Sequence, residues 1–139
     1  MVDVHIDGII VPHTLIDLGA AINVMTTETM LKLNIQGSLR KTTIVLQLAY
    51  RSTIAPEGVV EDVMVSIDSL EYLVDFLVLQ PRTKFNGYHL ILRRPWLATV
   101  DASVSYRVRN MTIKNWYLSK KLVLTLLLNH LWSMTYIYG

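Results

Sequence analysis

The sequence contains no cysteine, which removes disulfides, zinc–thiolate sites and thiol nucleophiles together and fits a reducing, intracellular and cytoplasmic setting. It also lacks an excess of either charge: 13 Lys and Arg stand against 11 Asp and Glu, for a formal net charge of +2. The basic residues are scattered apart from Arg93-Arg94 and Lys120-Lys121, so there is no basic stripe and nucleic acid is not an expected partner. His5, His13, His89 and His130 do not have metal-ligand spacing, and neither a metal nor a cofactor is expected. The opening MVDVHIDG has no basic region followed by an apolar core, so no signal peptide is read. No internal repeat is present; Asp101-Ala102-Ser103 is not a second copy of Asp17-Leu18-Gly19. A long apolar run occurs only at residues 122–138. It sits at the lower edge of the ~17–25 residues that span a bilayer and carries Asn129, His130 and Ser133 near its middle, so a membrane is not the favoured partner.

What is present is a chain of 139 residues, 52% hydrophobic and 17% charged, enough for one core with apolar surface left over for a partner. VDVHI alternates apolar and polar residues, Asp7-Gly8 is a hairpin-turn pair, and IIVPHTLI follows as a second strand. TTETMLKLNI offers a Thr cap, Glu28 near a helix start and apolar Met30, Leu31 and Leu33. TTIVLQLAY and VVEDVMVSID read as a long hairpin around RSTIAPEG, whose Pro56 and Gly58 favour a turn. SLEYLVDFLVL is a further strand, and HLILRRPWLAT a buried strand running into a Pro-initiated helix. DASVSYRV and MTIKNW form a last hairpin. Residues 1–116 therefore read as a β-rich domain with two short helices, a barrel or sandwich. Residues 117–139 read as a divergent apolar tail.

Within LIDLGAAINVM, residues 15–25, Asp17 is a lone acid in an apolar run two residues before Gly19. A carboxylate removed from water must be paired, protonated or needed. Asp-x-Gly is common in turns, so taken alone Asp17 is compatible with a turn or cap. The same geometry suits carboxylate catalysis, because Gly permits a tight turn and close approach of another chain. Two carboxylates held together share one proton, the ionised one acting as base toward water while the protonated one supports the carbonyl oxygen. With one such motif per chain, the second acid must come from a second subunit across a two-fold axis. Glu61-Asp62 is an unpromising pair, since adjacent strand residues face opposite sides.

LIDLGAAINVM, VLQLAYRSTIAPEGVVEDVMVSID, VDFLVL and LILRRPWLATVDA, in that order, resemble the retropepsin-like aspartic protease domain of plant gypsy-type LTR retrotransposon polyproteins. The resemblance covers roughly residues 2–115. It implies an all-β, retropepsin-like closed barrel with one or two short helices and half an active site per chain. Asp17 matches the catalytic aspartate, and Leu18, Gly19 and Ala20 its active-site loop. Ala49, Tyr50, Arg51, Ser52 and Thr53 fall where the family has the flap over a peptide substrate, and Leu92 and Arg93 where a strand packs behind the active site. The implied protein is a homodimeric endopeptidase for a peptide or polyprotein, with MVDVHI and residues after Thr112 at the interface. A catalytically inactive module serving dimerisation or peptide binding is the alternative. Leu18 stands where many retropepsins have Thr or Ser, and Ala21 where Ser is often found. Arg93 stands where the family has Gly, and a long cation at a position needing glycine implies a clash or the burial of a charge.

Overall fold

The structure, a computed structural model, describes residues 4–11, 14–17, 22–47, 53–67, 70–80, 90–105, 107, 110–114, 119–128 and 131–138. The first strands are Val4–Ile6 (β1), Ile9–Val11 (β2), Thr14–Asp17 (β3) and Val24–Thr26 (β4), followed by helix Thr27–Lys32 (α1). After a short 3-10 turn at Gln36–Ser38 come Leu46–Gln47 (β5), Thr53–Ile54 (β6), Gly58–Ile67 (β7), Leu70–Leu79 (β8) and Leu90–Leu92 (β9). Helix Arg94–Thr99 (α2) then leads to Ser103–Ser105 (β10), Asn110–Lys114 (β11), Ser119–Leu128 (β12) and Leu131–Tyr138 (β13). An 11-stranded sheet runs β10-β11-β12-β13-β3-β9-β4-β8-β7-β1-β2, and β5 and β6 pair separately. The architecture is mostly β with two short helices, a curled sheet around a core.

Local chemistry accounts for the turns that start this arrangement. Asp7 and Gly8 take φ of 50° and 77°, the paired left-handed conformation of a tight hairpin turn, and they set Ile6 opposite Ile9. Thr26 caps α1, its Oγ1 accepting from the Thr29 N–H at 3.2 Å, while Glu28 and Lys32 sit at the ends the helix dipole favours. The helix closes with the Ile35 N–H on the Met30 carbonyl and the Asn34 N–H on that of Leu31, Asn34 taking a left-handed φ of 57°. α2 has Pro95 in its first turn, where the missing N–H leaves no bond unmade.

The core lies beneath β7 and β8. β8 buries Leu70, Tyr72, Val74 and Phe76 in strict alternation, and these pack with Val4, Ile6, Val65, Leu90, Leu92 and Trp96. The Tyr72 hydroxyl donates to the Lys114 carbonyl at 2.6 Å, tying β8 to β11, and burial pushes its phenol above the usual range.

Three features differ from the sequence reading. Among the described residues, the long hairpin expected from TTIVLQLAY and VVEDVMVSID is not formed: β5 pairs with β6, and β7 pairs with β8 and β1. Ile44 and Val45 are 40% and 58% exposed, so this apolar stretch has no face to bury and no ladder to join. An isolated bridge between Arg40, just before TTIVLQLAY, and Val59 ties the start of β7 to the chain that precedes it. Second, residues past 117 contribute β12 and β13 to the main sheet, through β11 on one side and β3 on the other. Third, β1, expected at a subunit interface, has both edges hydrogen-bonded within the chain, to β2 and β7.

The Arg40–Val59 bridge creates a steric requirement at Gly58. A Cβ added there would overlap the Arg40 carbonyl oxygen and meet Leu39 Cδ1 at 2.9 Å. Gly58→Ala is therefore expected to cost about 1–3 kcal/mol, the range for overpacking, read as a lowered denaturation midpoint. An unchanged midpoint would mean that the bridge yields freely.

Candidate active site

β3 ends at Asp17, with β13 on one side, Leu131 opposite Asp17, and β9 on the other, Ile16 level with Leu92. The chain resumes in the described structure at Ile22 and Asn23 and enters β4, which lies on the far side of β9. β9 is thus inserted between the two strands that the Asp17 segment connects, parallel to β3 and antiparallel to β4. This crossing puts the Asp17 end of β3 and the start of β4 at the same end of β9.

Both ends are held there. Asn23, 3% exposed, accepts the Arg93 N–H on Oδ1 at 2.7 Å and donates from Nδ2 to the Asp75 carbonyl of β8 at 3.3 Å. Its own carbonyl accepts from the Leu77 N–H at 2.9 Å. The Arg93 guanidinium donates through Nη1 to the Ile22 carbonyl at 3.2 Å. An open groove alongside is lined by Ile22, Asn23, Asp62, Asp75, Pro95 and Thr99. An Asp75 carboxylate oxygen accepts from the Asp62 backbone N–H at 2.9 Å, at the bulge where Asp62 takes a φ of 54°.

Of the residues singled out in the sequence, Asp17 lies at the β3 terminus and Leu92 is fully buried in β9. At Arg93, φ and ψ are −123° and −166°, extended backbone that any residue adopts. Of the two outcomes expected there, a clash or the burial of a charge, the second is seen in part: the residue is half-buried, and its guanidinium donates to the Ile22 carbonyl. Leu18, Gly19, Ala20 and Ala21 lie outside the described residues, as do Ala49, Tyr50, Arg51 and Ser52. Thr53 begins β6 and pairs with Gln47 of β5, so the segment read as a flap is bounded by a two-stranded ladder. Glu61 and Asp62 are both exposed, and Glu61 lies 3.9 Å from Arg40. Among the described residues, no group of His, Asp and Glu could hold a metal ion, and no helix is long and apolar enough to cross a membrane. Asn23 was missed in the sequence, although a polar residue inside INVM, close after Asp17, was its signal.

No family model and no curated protein matches this sequence. Solved structures do: the retroviral protease-like domain of Ddi1 from Leishmania major is similar at a TM-score of 0.62 over 82% of this chain and 85% of that one. The fold is retropepsin-like. At 16% identity the likeness is one of fold, so a reading of function rests on the chemistry of the site. On the retropepsin-like fold, Asp17 ends a strand of the β3–β9–β4 crossing, and the β5–β6 ladder is a separate two-stranded element of the same chain.

Proposed function

We propose that this chain is an aspartic-type endopeptidase acting as a homodimer, each copy supplying one Asp17. The reading is supported most by one observation: the chain's lone Asp-x-Gly begins at the end of β3, on the crossing of a retropepsin-like fold. Two Asp17 carboxyls brought together share a proton. The ionised one removes a proton from water, whose oxygen bonds to the peptide carbonyl carbon. The protonated one donates to the carbonyl oxygen, giving a neutral tetrahedral diol. Transfer of a proton to the amide nitrogen then breaks the C–N bond, releasing acid and amine and restoring the shared proton. The substrate is an extended segment of a polyprotein held beneath residues 49–55, with closure excluding water. The order of the sequence motifs favours a retroelement polyprotein as that substrate.

A second reading, an inactive retropepsin-like module, is favoured by the pairing of β13 along the β3 edge next to Asp17. A strand already bonded on both sides cannot take another. The two readings separate in one experiment: cleavage of an unfolded polypeptide at mildly acidic pH across a range of protein concentration, with sedimentation on the same samples. The endopeptidase predicts cleavage per chain that rises with the dimer fraction. A dimer that does not cleave supports the inactive module, and a chain that stays monomeric defeats the endopeptidase and leaves the inactive module only its peptide-binding role.

A further inference from the structure

Between the end of β3 and the start of β4, the structure shows a small polar assembly that the proposed chemistry does not itself require. Asn23 stands between Ile22, Val24 and Met25, and Val24 and Met25 are 1% and 0% exposed. At 3% exposure, an amide in such a place is retained at a cost unless each polar atom is used. Each is used, and each partner belongs to a different element: Oδ1 takes the Arg93 N–H at the start of α2, and Nδ2 reaches the Asp75 carbonyl in β8. The main-chain carbonyl of Asn23 takes the Leu77 N–H of β8. The Arg93 guanidinium closes the set on the carbonyl of Ile22.

The register of β3 gives this set its meaning. Ile16 is level with Leu92, so the step from Leu92 to Arg93 runs beside the step from Ile16 to Asp17. The segment that begins at Asp17 is thus fixed at its near end by the β3–β9 ladder. Its far end is fixed at Ile22 and Asn23 by the next residue of the same strand. We infer that Asn23 is a positioning residue for the Asp17 segment, with Arg93 as its partner: the amide and the guanidinium lock the far end of that segment onto the end of β9 and thereby set where Asp17 is presented. The inference rests on the reading of Asp17 as the reacting acid only for its catalytic consequence; the locking itself does not depend on cleavage. A reacting group displaced by about 1 Å can lose about 100-fold in rate, so a lock at this point has leverage on chemistry without touching substrate.

The test uses the full chain and two substitutions. Asn23→Leu keeps the branched shape, is bulkier, and removes both side-chain bonds. Asn23→Asp keeps the oxygen toward Arg93, and in its neutral form also offers an O–H to the Asp75 carbonyl. Arg93 of α2, Asp75 of β8 and Asp62 of β7 are the charged groups facing this slot from the packed elements. Amide hydrogen exchange is measured at residues 22–24 and at Leu77, whose N–H is held by Asn23, and, as an internal reference, in β1 and β7. Asn23→Leu is expected to speed exchange at residues 22–24 and Leu77 by about 10-fold or more while leaving the reference strands protected, and Asn23→Asp at mildly acidic pH to restore protection. Where the wild-type chain cleaves, kcat is expected to fall by about 10- to 100-fold with KM changed less than about 2-fold, and Asn23→Asp to recover it at acid pH and lose it as the carboxyl ionises. Equal acceleration of exchange in all strands would make Asn23 a general core residue and overturn the inference, as would unchanged exchange at residues 22–24 and Leu77. Exchange behaving as expected in a chain that never cleaves would keep the lock and sink the endopeptidase reading instead. If Asn23→Leu does not fold, the Asp variant decides alone: loss of protection at residues 22–24 and Leu77 on raising pH supports the lock, and its absence overturns it.

Discussion

Trp96→Ala is expected to lower the unfolding free energy by about 3–5 kcal/mol, a large share of the about 5–15 kcal/mol typical of a domain. Trp96 is fully buried and belongs to the core cluster that includes Phe76, Leu90, Leu92 and Met111. Its place explains why the loss is large. α2 is a single short helix held on the core by Trp96, by the buried Val100 at its end and by the partly buried Leu97, and of these the indole is the largest side chain. The void left by alanine lies between the helix and β9, where close-packed neighbours relax only in part. A denaturant titration checks the value through a shifted midpoint at constant slope. Trp96→Phe supplies the control. The indole N–H has no partner among the described residues, so its removal strands no acceptor, and the phenylalanine variant is expected to lose no more than about half as much. A loss below about 1 kcal/mol for alanine would contradict the burial of this side chain.

The parts legible in the sequence were those whose cause is local. Asp7-Gly8 specifies a left-handed turn by itself, Thr26 and Glu28 announce a helix start, and Pro95 a second one; all three are where such chemistry puts them. The overall fold was legible through the order of its motifs, of which the Asp17 run and LILRRPWL meet in the structure as neighbouring strands β3 and β9. What was hidden depends on partners distant in the chain. β13 pairs with β3, and nothing within LWSMTYIY encodes that choice, since an apolar run of this kind has no distinctive period. TTIVLQLAY carried strand propensity, but its described residues join a two-residue ladder with β6, while β7 is committed to β8 and β1. Propensity records fitness for a sheet and not the presence of a vacant edge. Arg93 belongs here as well: the sequence warned of a buried charge, and only the fold reveals the Ile22 carbonyl within reach of its guanidinium on an extended backbone. Asn23 is a parallel case: a buried amide surrounded by apolar residues signalled a structural bond set, and only the fold reveals that the set ends on the step beside Asp17.

Asp17→Asn is expected to abolish cleavage, by a factor of about 1,000 or more, while leaving the fold and the dimer in place. An amide is neutral at every working pH, so it can neither take a proton from water nor pass one to the carbonyl oxygen. Because the reaction needs one acid from each copy, the stronger form of the prediction concerns mixtures. When wild-type and Asp17→Asn chains are combined in equal amounts and allowed to exchange, random pairing leaves about one quarter of the dimers with two acids. At a fixed total of chains, activity should fall to about one quarter of the unmixed wild-type value, about one half per wild-type chain, and total activity should follow the square of the wild-type fraction as the ratio is varied. A site complete within one chain would instead lose activity in direct proportion to the wild-type fraction. The two curves differ most near equal mixing, so a single titration of one chain into the other distinguishes them. A linear curve would exclude a shared pair of acids even if Asp17 proved essential. The folded state is checked on the same samples by the denaturation midpoint. Removing one of two like acids that repel each other should leave that midpoint unchanged or slightly raised in the dimer, so a lost midpoint would mean that Asp17 holds the fold and not the chemistry.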